Sequence, residues 1–160
     1  MPLAILLALG QTTLGGGGLL FGAYPNLMLL FASSWVLRRG LGEGLVMGLA
    51  GGIILDVTSA APFGAAMLSL ALGISIAAMG QVNVFQGAWY LKYGVIAGAT
   101  LLANLVFTAL LRLSGFVTPQ PLVLSRIIVT ETMLHLALMP AVYGLVKWLA
   151  KRIEPPAVEF

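Results

Sequence analysis

The sequence predicts an all-α membrane protein, a polytopic bundle of about six transmembrane helices with both termini in the cytoplasm. Three observations lead there. Apolar residues make up 60% of the 160-residue chain and charged residues only 8%, whereas a soluble domain carries about 25% charged residues. Mean hydropathy is +1.05. The apolar residues fall into runs near the about 20 residues that cross a bilayer, separated by Gly, Pro and charged punctuation.

The same composition excludes several functions. Eight Lys and Arg residues are scattered along the chain with a net charge of +3 and no basic patch, which argues against nucleic-acid binding. Cys is absent, so disulfides, thiolate metal sites and Cys nucleophiles are impossible. A single His removes His-rich metal motifs. No metal site, no cofactor and no catalytic set are expected.

The first span runs from Pro2 to about Leu14, and on toward Phe21 through the glycine run Gly15 to Gly18. A cleaved signal peptide fits poorly, because no Lys or Arg precedes the apolar run and no small-x-small site follows it. The second span opens at Pro25-Asn26, where Pro suits a first helical turn, and ends at Arg38-Arg39. The third covers about Leu41 to Thr58. Ala60 to Gly64, with Pro62, forms a turn, and the fourth span follows from about Ala65 to Met79. Gly80 to Gln86 is a polar break with Gln81, Asn83 and Gln86. The fifth span covers Trp89 to Leu113, and Ser114 to Pro121 is a loop broken by Pro119 and Pro121. The sixth covers about Leu122 to Ala150, with an expected kink at Pro140. Residues 1–152 thus form one six-helix transmembrane domain, and residues 153–160 a short cytoplasmic tail.

Charge sets the orientation. Six spans with cytoplasmic termini place Arg38, Arg39, Lys92, Lys147, Lys151 and Arg152 inside, leaving Arg112 and Arg126 at the outer boundary. This follows the positive-inside rule. Trp35, Trp89 and Trp148 then share the inner interface with Tyr90 and Tyr93, the depth that amphipathic rings favour.

Three polar or small-residue patterns stand out. Gly40, Gly44, Gly48, Gly52 and Asp56 repeat every four residues, with Gly51 beside them, so they share a helix face. Small residues there let a second helix approach closely. Internal packing is the leading reading for Gly44, Gly48, Gly51 and Gly52, and a docking face for a partner's transmembrane helix is the other. Asp56 is read as a helix-end cap or the partner of an Arg, or alternatively as an ion, substrate or partner contact. Glu131 and His135 are an i, i+4 pair on the sixth span, read as a buried polar cluster, with a proton relay as the alternative. Thr100, Asn104, Thr108 and Arg112 form a seam on the fifth span. Asp56, Arg112, Arg126 and Glu131 all fall in the outer half and are expected to form a charge-balanced cluster. Asn104 and His135 are candidates to line a cavity there.

The stretch from Gly44 to Leu68, GLVMGLAGGIILDVTSAAPFGAAML, resembles the signature of the rod shape-determining protein MreD family. That signature is a Gly-rich span ending in Leu-Leu-Asp, a Ser/Gly turn with Pro-Leu-Gly, and a small-residue span. Pro25-Asn26-Leu27 resembles the family's Pro-Asp-Leu. Asn26, Ala60 and Phe63 stand where the family more often has Asp, Gly and Leu. The resemblance implies a non-enzymatic subunit of the bacterial cell-elongation machinery, multi-pass in the cytoplasmic membrane. It implies binding to MreC, and through MreC a link to RodA, a class B penicillin-binding protein and the MreB filament that organise peptidoglycan synthesis. Gly48 and Gly52 are then the expected points of close approach for an MreC helix, with Asp56 fixing its outer end. The family's fold is similar to the vitamin-binding subunits of energy-coupling-factor transporters. That alternative predicts an outward pocket lined by Asp56, Asn104, Glu131 and His135, and a docking pair at Ala4 and Ala8 for the coupling protein.

Overall fold

The computed structural model describes residues 23–80 and 89–153. The first predicted span with Gly15 to Gly18, Ala4 and Ala8, the polar residues Gln81, Asn83 and Gln86, and the tail beyond Ile153 lie outside the described residues. Within them are five helices and no strand: α1 (Leu27–Arg39), α2 (Leu41–Thr58), α3 (Ala65–Met79), α4 (Trp89–Leu113) and α5 (Pro121–Ile153). They coincide closely with the second to sixth predicted spans. Three of them, α2, α4 and α5, are long and apolar enough to cross a membrane.

Local chemistry explains the boundaries. Asn26 caps α1 by accepting the Leu29 N–H at 3.0 Å, so the helix opens two residues after Pro25 rather than on it. One residue, Gly40, joins α1 to α2. Its φ of 109° lies where a side chain would be strained, and the sharp reversal depends on it. Gly64, at φ 95°, plays the same part before α3. Helix α5 continues through Pro140, which is exposed.

Consecutive helices run antiparallel. Gly44, Gly48 and Gly51 of α2 face Val36, Ala32 and Met28 of α1, in descending order. Gly52 faces Met67 of α3, while Gly48 also meets Ile74. Farther along, Gly73 abuts Ala99 and Ala103 of α4, and Gly80 abuts Val95. Lys92 of α4 donates to the Tyr143 hydroxyl of α5 at 3.2 Å, and Thr100 meets His135. This alternation brings Arg38, Arg39, Lys92, Lys147, Lys151 and Arg152 to one end of the bundle, the basic end, and Asn26, Asp56, Gly64 and Thr118 to the other.

Helix α1 is the central element. Every residue from Met28 to Val36 is buried, and α1 packs on α2, α3, α4 and α5. At 13 residues it is about 20 Å long, shorter than the about 30 Å hydrocarbon layer. Its sheath is the rest of the bundle, so its length need not match the lipid. Small side chains make this packing possible: Ala32, Ser33 and Ser34 are all buried in the core. Leucine, isoleucine and methionine fill the remainder, with Met28, Leu29, Leu70 and Ile74 fully enclosed.

Trp35 and Trp148 both lie at the basic end, but Trp35 faces the core. Trp35 is only 3% exposed and packs beside Phe31, ring centroids 5.8 Å apart. Its indole N–H donates to Glu43 Oε2 at 2.9 Å, and the same carboxylate oxygen accepts from Arg39 Nε at 3.3 Å. A buried indole needs an acceptor, and the one-residue joint at Gly40 brings Glu43 back to supply it. Trp35 is therefore a core residue at the basic end. Trp148 is exposed there with the Arg152 guanidinium 4.2 Å from its ring. The Trp89 side chain lies outside the described residues.

Candidate functional site

The glycine stripe is consumed inside the chain. A Cβ on Gly44 or Gly48 would collide with Val36 or Ile74, one on Gly51 would lie 2.6 Å from Met28, and one on Gly52 would lie 2.6 Å from the Met67 Cα. Gly44, Gly48, Gly51 and Gly52 are all buried. They pack α2 onto α1 and α3, and the expectation of an MreC dock on Gly48 and Gly52 is corrected accordingly. The opposite face of α2, with Val46, Leu49, Ile53 and Val57, is exposed and apolar.

Asp56 is also committed internally. It is 4% exposed, and its two oxygens accept three backbone N–H groups: Ala66 at 2.8 Å, Gly64 at 3.0 Å and Met67 at 3.1 Å. The first turn of any helix leaves N–H groups without helical partners, and its positive dipole end favours a negative charge. Asp56 is thus the cap of α3, donated by the end of α2. The short loop from Ser59 to Gly64 makes this geometry reachable.

The expected four-residue charge cluster does not form among the described residues. Asp56 is satisfied by N–H groups. Arg112 is exposed and donates to Thr118 Oγ1 at 3.0 Å, tying the end of α4 to the following loop. Arg126 is exposed on α5. Both arginines are exposed, whereas moving them inward to meet Asp56 would desolvate both partners.

Glu131 and His135 do come together, and they recruit the seam of α4. His135 is fully buried and its Nδ1 lies 2.7 Å from Thr100 Oγ1. The Thr100 hydroxyl donates to the Ile96 carbonyl at 2.8 Å, so the proton shared with the ring belongs to Nδ1. In the neutral imidazole Nε2 is then a lone pair. It lies 3.8 Å from Glu131 Oε1. Asn104 Nδ2 donates to the Thr100 carbonyl at 3.0 Å. The seam therefore grades from fully buried Thr100 through half-buried Asn104 and Thr108 to exposed Arg112.

Above this group, toward the end opposite the basic residues, lies a cavity of about 610 Å³. Asn104 and Glu131 line it, while Asp56 and His135 do not. Of the two residues expected to line a cavity, the structure places Asn104 on its wall and His135 behind Glu131. Among the described residues no three of His, Asp and Glu converge into a metal-binding group. What pattern reading missed is the acceptor role of Glu43 toward Trp35. Its only sequence signal was an isolated acid beside the Arg38-Arg39 pair.

A family model for the rod shape-determining protein MreD matches residues 3–149, nearly the whole chain. The chain belongs to the MreD family. The match contains the Gly44–Leu68 stretch, Asp56 included. No curated protein and no solved structure matches the chain. MreD membership, with three helices of spanning length, identifies a rod-shape-determining membrane protein.

Proposed function

We propose that the chain is the non-catalytic, multi-pass subunit of the bacterial cell-elongation complex in the cytoplasmic membrane. In this reading it binds MreC and helps position the peptidoglycan-synthesis proteins linked to it, RodA, a class B penicillin-binding protein and MreB. The observation that carries the reading is the MreD match over residues 3–149. It also favours this reading over a vitamin-transporter subunit. The build of the molecule is compatible with a scaffold: the joints from Gly40 to Leu41 and from Ser59 to Gly64 leave no room for a soluble domain there. Partners must meet it through membrane helices or at the interface. Because the glycine stripe is filled from within, MreC is assigned to a face other than that of Gly48 and Gly52.

The test is capture of MreC from solubilised cytoplasmic membranes by the tagged chain. Co-purification of MreC is the expected result. Its absence, with ATPase and coupling subunits captured instead, would select the transporter reading.

Six spans with cytoplasmic termini belong to the same proposal and have a separate test. The chain contains no Cys, so single cysteines report accessibility without background. Gly42→Cys lies at the basic end, where a Cβ meets nothing within 4 Å, and Ser114→Cys lies exposed at the other. A membrane-impermeant maleimide is expected to label position 114 in intact spheroplasts and position 42 only after permeabilisation. The reverse pattern would invert the orientation.

A further inference from the structure

The basic end of the bundle carries more charge than its carboxylates can pair. Lys92 lies in the first turn of α4, and Lys147, Lys151 and Arg152 lie in the last turns of α5. Of the chain's five acids, the described ones are Glu43, Asp56 and Glu131. Glu43 is held by Trp35 and Arg39. The other two are engaged away from this end, Asp56 by the N–H groups of α3 and Glu131 by the Asn104 amide and the Asn26 N–H. Among the described residues, Lys92, Lys147, Lys151 and Arg152 therefore pair with no carboxylate. Glu154 and Glu159 belong to the tail outside the described residues, and two carboxylates are too few for four cations.

These cations touch neutral groups instead. Lys92 Nζ donates to the Tyr143 hydroxyl at 3.2 Å and stands 4.7 Å from the centre of that ring. The guanidinium of Arg152 lies 4.2 Å from the Trp148 ring. Because the Tyr143 oxygen accepts from Lys92, its own proton remains for another acceptor. Lys147 follows Tyr143 by about one helical turn and Lys151 by about two, on the same face of α5, and both are exposed. A column of donors thus climbs α5 beside Lys92. The start of α4 is the positive end of its dipole and adds to them, whereas the last carbonyls of α5 oppose. Lys151 and Arg152 sit in that last turn and offset it.

Length sets the depth of this column. Helix α5 has 33 residues and is about 50 Å long, against about 30 Å of hydrocarbon and about 40–45 Å for the bilayer with its headgroups. Its last turns stand in the headgroup layer, with Trp148 exposed beside them, as amphipathic rings are at that depth. Toward the middle of the helix, Gly144, Pro140 and Met133 are exposed, and a Cβ on Gly144 would meet nothing within 4 Å. Donors at headgroup depth above an open apolar face match a phosphate with acyl chains below it. We propose that the start of α4 and the end of α5 bind the phosphate of an anionic phospholipid, with Lys92, Tyr143 and Lys147 as its donors and the acyl chains along Gly144, Pro140 and Met133. The site goes beyond the MreC reading and is independent of it.

The test is native mass spectrometry of the full-length chain released from micelles that hold phosphatidylglycerol and phosphatidylcholine in equal amounts with identical acyl chains. The lipid retained by the wild type is expected to be enriched in phosphatidylglycerol by about tenfold or more. Lys92→Gln combined with Lys147→Gln is expected to bring the ratio close to parity, and Tyr143→Phe to an intermediate value. Arg112→Gln combined with Arg126→Gln removes the same charge elsewhere and is expected to leave the ratio unchanged. If the double variant at the basic end does not accumulate, Lys147→Gln alone, at an exposed position, is expected to lower the ratio about fivefold. Equal retention of the two lipids by the wild type, or an equal fall in both double variants, would overturn the proposal. Retention of a poly-glutamate peptide in place of phosphatidylglycerol would assign this end to an acidic polypeptide and overturn it as well.

Discussion

Replacing Gly52 by valine is expected to prevent the folded protein from accumulating in the membrane. A Cβ at this position lies 2.6 Å from the Met67 Cα and 3.1 Å from its backbone nitrogen. Backbone atoms cannot rotate away as a side-chain tip can, so α2 and α3 must separate. Separation breaks more than one contact, because the Met67 N–H is also bonded to Asp56. The expected destabilisation therefore exceeds the about 1–3 kcal/mol typical of overpacking. Gly42→Ala is the matched control. Nothing lies within 4 Å of a Cβ there, and exchanging Gly for Ala within a helix stabilises by about 0.5–1 kcal/mol. Membrane yield and thermal unfolding of the solubilised protein compare the two. Equal yields would show that α2 and α3 are not packed as described.

The second large effect is expected at Asp56. Asp56→Ala removes the acceptor for three N–H groups at the start of α3, one of them on the buried core residue Ala66 and two on half-buried residues. Each buried donor left unmatched costs about 1–3 kcal/mol, and the favourable charge at the helix N-terminus is lost as well. A loss of about 3–5 kcal/mol follows, allowing for partial relaxation toward water at that end. Asp56→Asn keeps one carbonyl acceptor but turns an amide donor toward N–H groups, so an intermediate loss is expected. Reversible unfolding in mixed micelles reads both. Wild-type-like unfolding of Asp56→Ala would refute the cap, whereas equal and non-additive losses in Asp56→Ala and Arg112→Ala would reinstate the ion-pair reading of Asp56.

These two sites show how far the residues alone can be read. Spacing placed Gly44, Gly48, Gly52 and Asp56 on one face of one helix, and that is a property of any α-helix. It said nothing of what stands opposite. In water, an amphipathic pattern reveals which face is inside. In lipid, the tails outside are as apolar as the leucines inside, and α2 is apolar on both faces, with Leu49 and Ile53 exposed and Leu55 buried. Small residues mark a close approach but do not name the partner, and here the partner is the chain itself. The same ambiguity hides from the sequence that Trp35, at the basic end, faces the core.

Class, helix boundaries and family were determined by the sequence itself. The scarcity of charge required a membrane. Pro25-Asn26, Gly40, the turn from Ala60 to Gly64 and the prolines at 119 and 121 act on their immediate neighbours, so the limits of α2, α3 and α4 were readable without a fold. The Gly44–Leu68 pattern sufficed for MreD. Only the tertiary structure decided that α1 lies at the centre, that Asp56 caps α3 instead of pairing with an arginine, and that Glu131 and Asn104 open into a cavity with His135 behind them. Each of these depends on which helix stands beside which. Asp56 and Met67 are eleven residues apart, and Thr100 and His135 thirty-five. Dihedral preferences and hydropathy act locally along the chain, while a hydrogen bond across that distance exists only once the helices have packed.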